Sequence, residues 1–145
     1  RDSMAAVGYA MALARKLTGS QTVVVLHVVD EGLPVAVESS SMASQGRCEQ
    51  EKAMKAEAKA KLAKWLAAVD PGEEKIEHAV VIGRPASEQI CHYATENDVD
   101  LLVVGNQGAG ALRRWVLGST TQQVQRHATV PVLAVRDPAA MRDEE

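Results

Sequence analysis

The sequence predicts an α/β fold, an open doubly wound sheet of parallel strands with helices on both faces. Helix-type and strand-type segments alternate along the chain, and such alternation requires crossover connections between parallel strands. The segment Thr22–Val29 is an almost unbroken apolar run, as expected of a strand buried on both faces with His27 as a core residue. With 145 residues, the chain has the length of one domain. We therefore expect residues 1–145 to form a single domain that ends in a charged tail at 137–145.

The first half of the chain is predicted to contain two helices around this strand. A helix near 4–18 has an apolar stripe that ends at Leu17. Residues 30–46 contain Gly, Pro and a Ser cluster and are predicted to form a loop. A second helix is predicted from about 47 to 69, with one apolar face. Its opposite face would carry two solvated ion pairs with a spacing of four residues, Glu51–Lys55 and Glu57–Lys61.

The second half of the chain continues the alternation. A strand at 76–82 is followed by a helix that begins near Pro85, a residue suited to the first turn. A short buried strand is predicted at 100–104, a helix near 119–127 and a last strand at 130–135. The last strand contains a proline, which lacks an N–H donor, so this strand should begin at the proline or lie at a sheet edge.

Composition excludes several classes of function. The net charge is −3 and only 3% of the residues are aromatic, with no Phe. Nucleic-acid-binding domains are usually basic, and many of them stack bases on aromatic side chains, so we expect no nucleic-acid partner. No apolar run approaches the roughly 20 residues of a membrane helix, and no export signal is visible, so a cytoplasmic location is expected. The two cysteines are expected to be free thiols, and the core is expected to be aliphatic.

The connection at 105–118 is longer than the usual crossover loop of about 2–6 residues. It follows the carboxyl end of a predicted parallel strand, which is where open α/β sheets bind ligands. Two familiar phosphate motifs do not fit this loop. Arg113 stands where the dinucleotide fingerprint needs a third glycine, and Ala111 follows Gly110 where a P-loop needs lysine.

The same loop nevertheless has the ingredients of an anion site. Glycines let the backbone present N–H groups without obstruction by a Cβ atom, and a helix start favours phosphate. Hydroxyl and guanidinium groups add donors and positive charge. Each residue taken singly has an ordinary structural explanation as a turn glycine, a solvated arginine or a helix cap. The residues concerned are Gly105, Gly108, Arg113, Arg114, Gly118, Ser119 and Thr120.

The spacing Gly105-x2-Gly108-x9-Gly118-Ser119 resembles the G-2x-G-9x-G-[S/T] signature of ATP-binding members of the universal stress protein family. Gly83-Arg84-Pro85 is similar to the G-x-P that precedes the family's third helix, and 130–135 is similar to its fifth strand. The resemblance covers nearly all of residues 2–136.

The resemblance implies a site for ATP, expected with Mg²⁺. The resemblance places the nucleoside at the start of the loop and the phosphates at its end. Adenine would contact the backbone at the end of the family's second strand. The positive charges of Arg113 and Arg114 in the loop would neutralise the negative charge of the phosphates. The implied nucleotide-binding residues are Val28, Val104, Gly105, Gln107, Gly108, Arg114, Gly118, Ser119 and Thr120.

The resemblance also implies the strand order 3-2-1-4-5. The chain starts where the family's first helix starts, so we expect the central first strand, with its adenine-contacting Asp, to be missing from residues 1–145. The family's fifth strand often pairs across a two-fold axis. A homodimer is therefore expected, with Val132, Leu133 and Val135 at its interface.

The function implied is that of an ATP-binding regulatory protein in the stress response. No residue is assigned as catalytic or as a metal ligand, and any hydrolysis should be slow because neither a general base nor a P-loop lysine is found. Two alternatives remain open: a nucleotide-independent interaction protein of the same fold, and a slow ATPase. AMP and a cyclic nucleotide are alternative ligands.

Overall fold

The computed structural model describes residues 2–29, 41–67, 75–106 and 118–136. Helices and strands alternate regularly through these ranges, which confirms the predicted α/β class. In chain order the elements are α1 (Asp2–Ala14), β1 (Thr22–Val29), α2 (Ser41–Leu66), β2 (Lys75–Ile82), α3 (Ala86–Glu96), β3 (Leu102–Gly105), α4 (Ser119–His127) and β4 (Val132–Val135).

The strands pair two by two, and both pairs are parallel. β1 lies beside β2 along its whole length, with Thr22 opposite Lys75, and β3 lies beside β4 with Leu102 opposite Val132. These pairs are the neighbours that the order 3-2-1-4-5 gives to its last four strands. The described strands form two sheets of two strands each. No described strand pairs with both β1 and β3, between which that order places its first strand.

The helices connect the two strand pairs. Helix α1 contacts β1 of one pair and both strands of the other, while α2 packs on β1 and β2. Helix α3 contacts β1 and α4, and α4 contacts β4. The apolar side chains that are buried in the described part of the chain all lie on helices and are small or aliphatic, as the aromatic-poor composition predicts. They are Ala6, Met11, Ala14, Ala94 and Val124.

Helix α2 has the two faces that its sequence predicts. One face is half-buried and carries the predicted apolar stripe of Met54, Ala58, Leu62, Trp65 and Leu66. The last predicted member of the stripe, Val69, lies outside the described residues. The exposed face carries both predicted ion pairs. The distance from Nζ to Oε1 is 3.2 Å in Lys55–Glu51 and 2.6 Å in Lys61–Glu57.

Three local predictions were wrong. His27 is exposed and the rest of β1 is at most half-buried, so the unbroken apolar run does not mark a strand that is buried on both faces. Leu17 is 52% exposed, because α1 ends at Ala14 and the apolar stripe does not continue on a helix. Helix α2 begins at Ser41, inside the predicted loop. Its Gly46 is exposed, where a glycine in a helix costs only about 1 kcal/mol.

Strand β4 starts one residue after Pro131, as expected from the missing N–H of that proline. The rest of the predicted loop, at 30–40, and the predicted tail, at 137–145, lie outside the described residues.

Candidate functional site

Two hydrogen bonds fasten the start of α4 to the end of β3. The N–H of Gly118 donates to the carbonyl of Asn106 at 2.8 Å. The hydroxyl of Thr121 donates to the carbonyl of Gly105 at 2.7 Å. Thr121 is only 5% exposed, so water does not compete for this second bond. The two ends of the predicted ligand loop are therefore held together at the carboxyl end of β3.

Asn106 holds the two ends of the predicted loop in place. It is 5% exposed, and its N–H donates to the carbonyl of Val135 at 2.7 Å. With the amide oriented so that both groups are satisfied, its side-chain oxygen accepts hydrogen bonds from Nε and Nη2 of Arg136, each at 3.2 Å. A buried amide held by both its backbone and its side chain gives the loop a rigid base.

The N-terminus of α4 has backbone donors that no described residue accepts from. The N-cap residue Gly118 makes no side-chain cap. The N–H of Gln122 bonds to the Gly118 carbonyl at 2.9 Å. Among the described residues, the amides of 119–121 have no acceptor, as is usual for the first turn of a helix. These amides and the positive end of the helix dipole make this position attractive to an anion.

A cleft of about 410 Å³ lies at this helix start. It is lined by Ser119, Thr120 and Gln123 of α4 and by the segment Arg84–Ser87, which leads from β2 into α3. The N–H of Gly83, at the end of β2, donates to the carbonyl of Val29, the last residue of β1, at 3.1 Å. The segments that follow β2 and β3 thus meet at one cleft, as expected for a ligand site at the carboxyl ends of parallel strands.

The glycines at 105 and 118 are not explained by the local backbone. Gly118 has φ −58° and ψ 144°, a conformation open to every residue. Gly105 lies in strand β3 and does not have a positive φ. A glycine at such a position is typical of a backbone that another group approaches closely.

The structure brings together four of the predicted site residues: Gly105, Gly118, Ser119 and Thr120. Val104 precedes Gly105 in β3. Val28 lies in the other strand pair, in β1, opposite Val81. Gln107, Gly108 and Arg114 lie outside the described residues.

Sequence reasoning missed five residues that shape this region: Arg84, Ser87, Asn106, Thr121 and Arg136. In the sequence, Arg84 stands only as the middle residue of the G-x-P segment, and Asn106 only as a spacer between Gly105 and Gly108. Ser87 and Thr121 carried one usable signal, since each is a small hydroxyl residue in the first turn of a predicted helix. Their positions depend on how α3 packs against α4, which the sequence does not show.

The adjacent Cys91 and His92 do not form a thiol–imidazole pair. Nε2 of His92 lies 3.2 Å from Oε1 of Glu96, on the same exposed side of α3. Burial raises the pKa of the Cys91 thiol, which disfavours the reactive thiolate. Both Cys48 and Cys91 are free, as the sequence predicts.

Within the described ranges, no three His, Cys, Asp or Glu side chains are grouped so that they would hold a metal ion. None of the helices in these ranges has the length and apolar character needed to cross a membrane.

Comparisons with known proteins agree with this architecture. Universal stress protein MJ0577 of Methanocaldococcus jannaschii is 28% identical over 134 residues, which are 85% of this chain and 82% of that protein. Universal stress protein Slr1230 of Synechocystis sp. is 42% identical over 62 residues, or 43% of this chain. Universal stress protein YxiE of Bacillus subtilis is 44% identical over 54 residues, or 37% of this chain. The matched segments span only 21% and 36% of these last two relatives.

Solved structures show the same fold. The structure of MJ0577 matches with a TM-score of 0.70 and 26% identity, over 91% of this chain and 85% of that one. Universal stress protein UspA from Lactobacillus plantarum matches with a TM-score of 0.67 and 25% identity, over 93% of this chain and 90% of that one. The sequence model of the universal stress protein family matches residues 1–136. The chain therefore belongs to the universal stress protein family.

Proposed function

We propose that this chain is an ATP-binding regulatory protein of the stress response. The observation that carries the proposal is the closed base of the 105–118 loop. The bond between Gly118 and Asn106 holds the loop ends together, and directly beside it Ser119 and Thr120 line a cleft. This arrangement supports phosphate binding at the start of α4, as the loop sequence predicts.

The phosphates would be held by backbone and hydroxyl groups of α4. Three first-turn amides are available within the described residues, and the side chains of Ser119 and Thr120 are exposed at the same place. Gly118 leaves room for a phosphate oxygen to approach the backbone. Charge from Arg114 would balance the polyphosphate, together with Mg²⁺ that accompanies the nucleotide.

The nucleoside would occupy the strand side of the loop. By the resemblance to the ATP-binding signature, Val104 and Gly105 contact it and Val28 meets adenine through its backbone. Gln107 and Gly108 then line the path from ribose to phosphate. The contact between the ends of β1 and β2 at Val29 supports this placement, because it brings the end of β1 to the same edge as the cleft.

We expect the protein to bind ATP without rapid hydrolysis. The described residues that line the cleft include no carboxylate, imidazole or amine. General base catalysis needs such a group within hydrogen-bond reach of the attacking water. A role in signalling through the bound nucleotide therefore fits this cleft better than turnover does.

Calorimetric titration with ATP and Mg²⁺ tests the proposal. The wild-type chain should bind, and Gly118→Val should lose binding because its side chain fills the space in front of the α4 amides. Gly46→Val is the matched control, since a Cβ atom at Gly46 meets nothing within 4 Å. A folded wild-type chain that gives no binding at millimolar ATP would reject the proposal and favour a nucleotide-independent interaction protein.

The proposal includes a homodimer formed through β4. This strand pairs with β3 along one edge, and no described strand pairs with its other edge. Val132, Leu133 and Val135 are half-buried there, so a second copy would pair with the open edge and cover more apolar surface. Analytical ultracentrifugation should show a dimer at micromolar concentration, and a monomer would contradict this part of the proposal.

A further inference from the structure

The cleft has a second wall that the nucleotide-binding signature does not include. Helix α3 packs against α4, and the segment Arg84–Ser87 faces the same cleft as Ser119 and Thr120. Two helix N-termini therefore meet at one cavity. The positive ends of their dipoles add, so the space between them favours a strongly negative group.

Among the described residues, the first turn of α3 has backbone donors without acceptors, as does the first turn of α4. Its N-cap, Pro85, makes no side-chain cap. The amides of Glu88 and Gln89 bond to the Pro85 carbonyl, at 3.1 and 3.3 Å. Within the described part of the chain, the amides of Ala86 and Ser87 have no acceptor. This wall thus presents backbone N–H groups toward the cleft.

Ser87 gives an independent reason to expect a ligand at this wall. The residue lines the cleft, yet it is only 8% exposed. Among the described residues it has no hydrogen-bond partner. Buried hydroxyl groups are nearly always paired, because an unpaired one loses its hydrogen bonds to water without compensation. A ligand atom that accepts a hydrogen bond would supply the missing partner.

The charges at this wall favour a phosphate over a neutral acceptor. Arg84 is exposed and lines the cleft, so it brings positive charge to an anion bound there. Glu88, in the first turn of α3, is the opposing charge, and it is exposed and does not line the cleft. An anion with several oxygens would use the Ser87 hydroxyl, the guanidinium and the free amides together.

We propose that the terminal phosphate of a nucleoside triphosphate binds between the N-termini of α3 and α4, with Ser87 as a hydrogen-bond donor and Arg84 as the positive charge. This inference rests on the proposed ATP binding and adds specificity to it. The inner phosphates lie against Ser119 and Thr120, and only the third phosphate reaches the α3 wall. The site therefore distinguishes ATP from ADP.

Titrations of ATP and ADP into Ser87→Ala test this inference, with Ser20→Ala, an exposed serine before β1, as the matched control. Ser87→Ala should weaken ATP binding roughly tenfold, the effect of one lost hydrogen bond to a charged group, and leave ADP binding within about twofold. Arg84→Gln should show the same selective loss, which keeps the test decisive if one variant folds poorly.

Phosphorus NMR adds a structural readout. In the wild-type complex the resonance of the terminal phosphate should shift on binding, and in Ser87→Ala this shift should shrink while those of the inner phosphates persist. Equal losses for ATP and ADP, or no loss in either variant, would overturn the inference while ATP binding stands. A wild-type chain that binds neither nucleotide would instead refute the proposed function and this inference with it.

Discussion

The hydrogen bond from Thr121 to Gly105 predicts a measurable contribution to stability. Thr121→Val keeps the shape of the side chain and has a similar helix propensity, but it removes the hydroxyl that donates at 2.7 Å to the Gly105 carbonyl. The residue is 5% exposed, so water cannot readily replace the lost donor. An acceptor left unpaired in this way costs about 1–3 kcal/mol. At about 2 kcal/mol, Tm of a chain of this size should fall by about 4–8 °C.

Urea unfolding followed by circular dichroism measures the loss. The control is Thr95→Val, since Thr95 is exposed and its hydroxyl makes only exposed hydrogen bonds, to the Cys91 carbonyl at 3.1 Å and with the Thr129 hydroxyl at 3.3 Å. An exposed substitution of this kind should change the free energy of unfolding by less than about 0.5 kcal/mol. If Thr121→Val and Thr95→Val were equally stable, the bond would not anchor α4 to β3. The closed base of the loop would then need another explanation.

Three further predictions concern packing and titration. Val124→Ala should lower the free energy of unfolding by about 2 kcal/mol in urea denaturation, because Val124 is 0% exposed and loses two methyl groups, each worth about 0.8 kcal/mol, besides leaving a cavity. Cys91 should react with iodoacetamide more slowly than the exposed Cys48, since burial raises the Cys91 pKa; equal rates in single-cysteine variants would contradict this. The hydrogen bond and charge of Lys61 lower the pKa of Glu57, so the pair's contribution is present above the unfolded-state pKa and is lost as the pH falls through the lower folded-state pKa. Lys61→Met should bring the Glu57 pKa in an NMR titration back toward its ordinary value, and an unchanged titration would count against the ion pair.

Patterns within short segments of the sequence predicted several helices and strands correctly. Helix α4 begins at Ser119 and ends at His127, as predicted, and the glycine that precedes it stands at its N-cap. The pairing of β1 with β2 and of β3 with β4 agrees with the predicted strand order. The position of the ligand loop stays a prediction, drawn from its length, its glycines and the strand that precedes it, because residues 107–117 lie outside the described residues.

Features that depend on distant parts of the chain were not predictable. The exposure of His27 depends on how the helices pack on β1, and that of Leu17 on where α1 ends. Ser87 faces the cleft because α3 packs on α4. Asn106 and Arg136 meet because β3 and β4 end side by side. Each of these features depends on residues that are far apart in the sequence.

Backbone amide NMR during a titration with ATP and Mg²⁺ tests phosphate binding at α4 most directly. The amides of 119–121 are free among the described residues, so their resonances should shift strongly as the phosphates bind. Gly118→Val should abolish these shifts, whereas Gly46→Val should leave them unchanged. ATP binding that leaves the amides of 119–121 unperturbed in the wild-type chain would contradict a phosphate site at the start of α4.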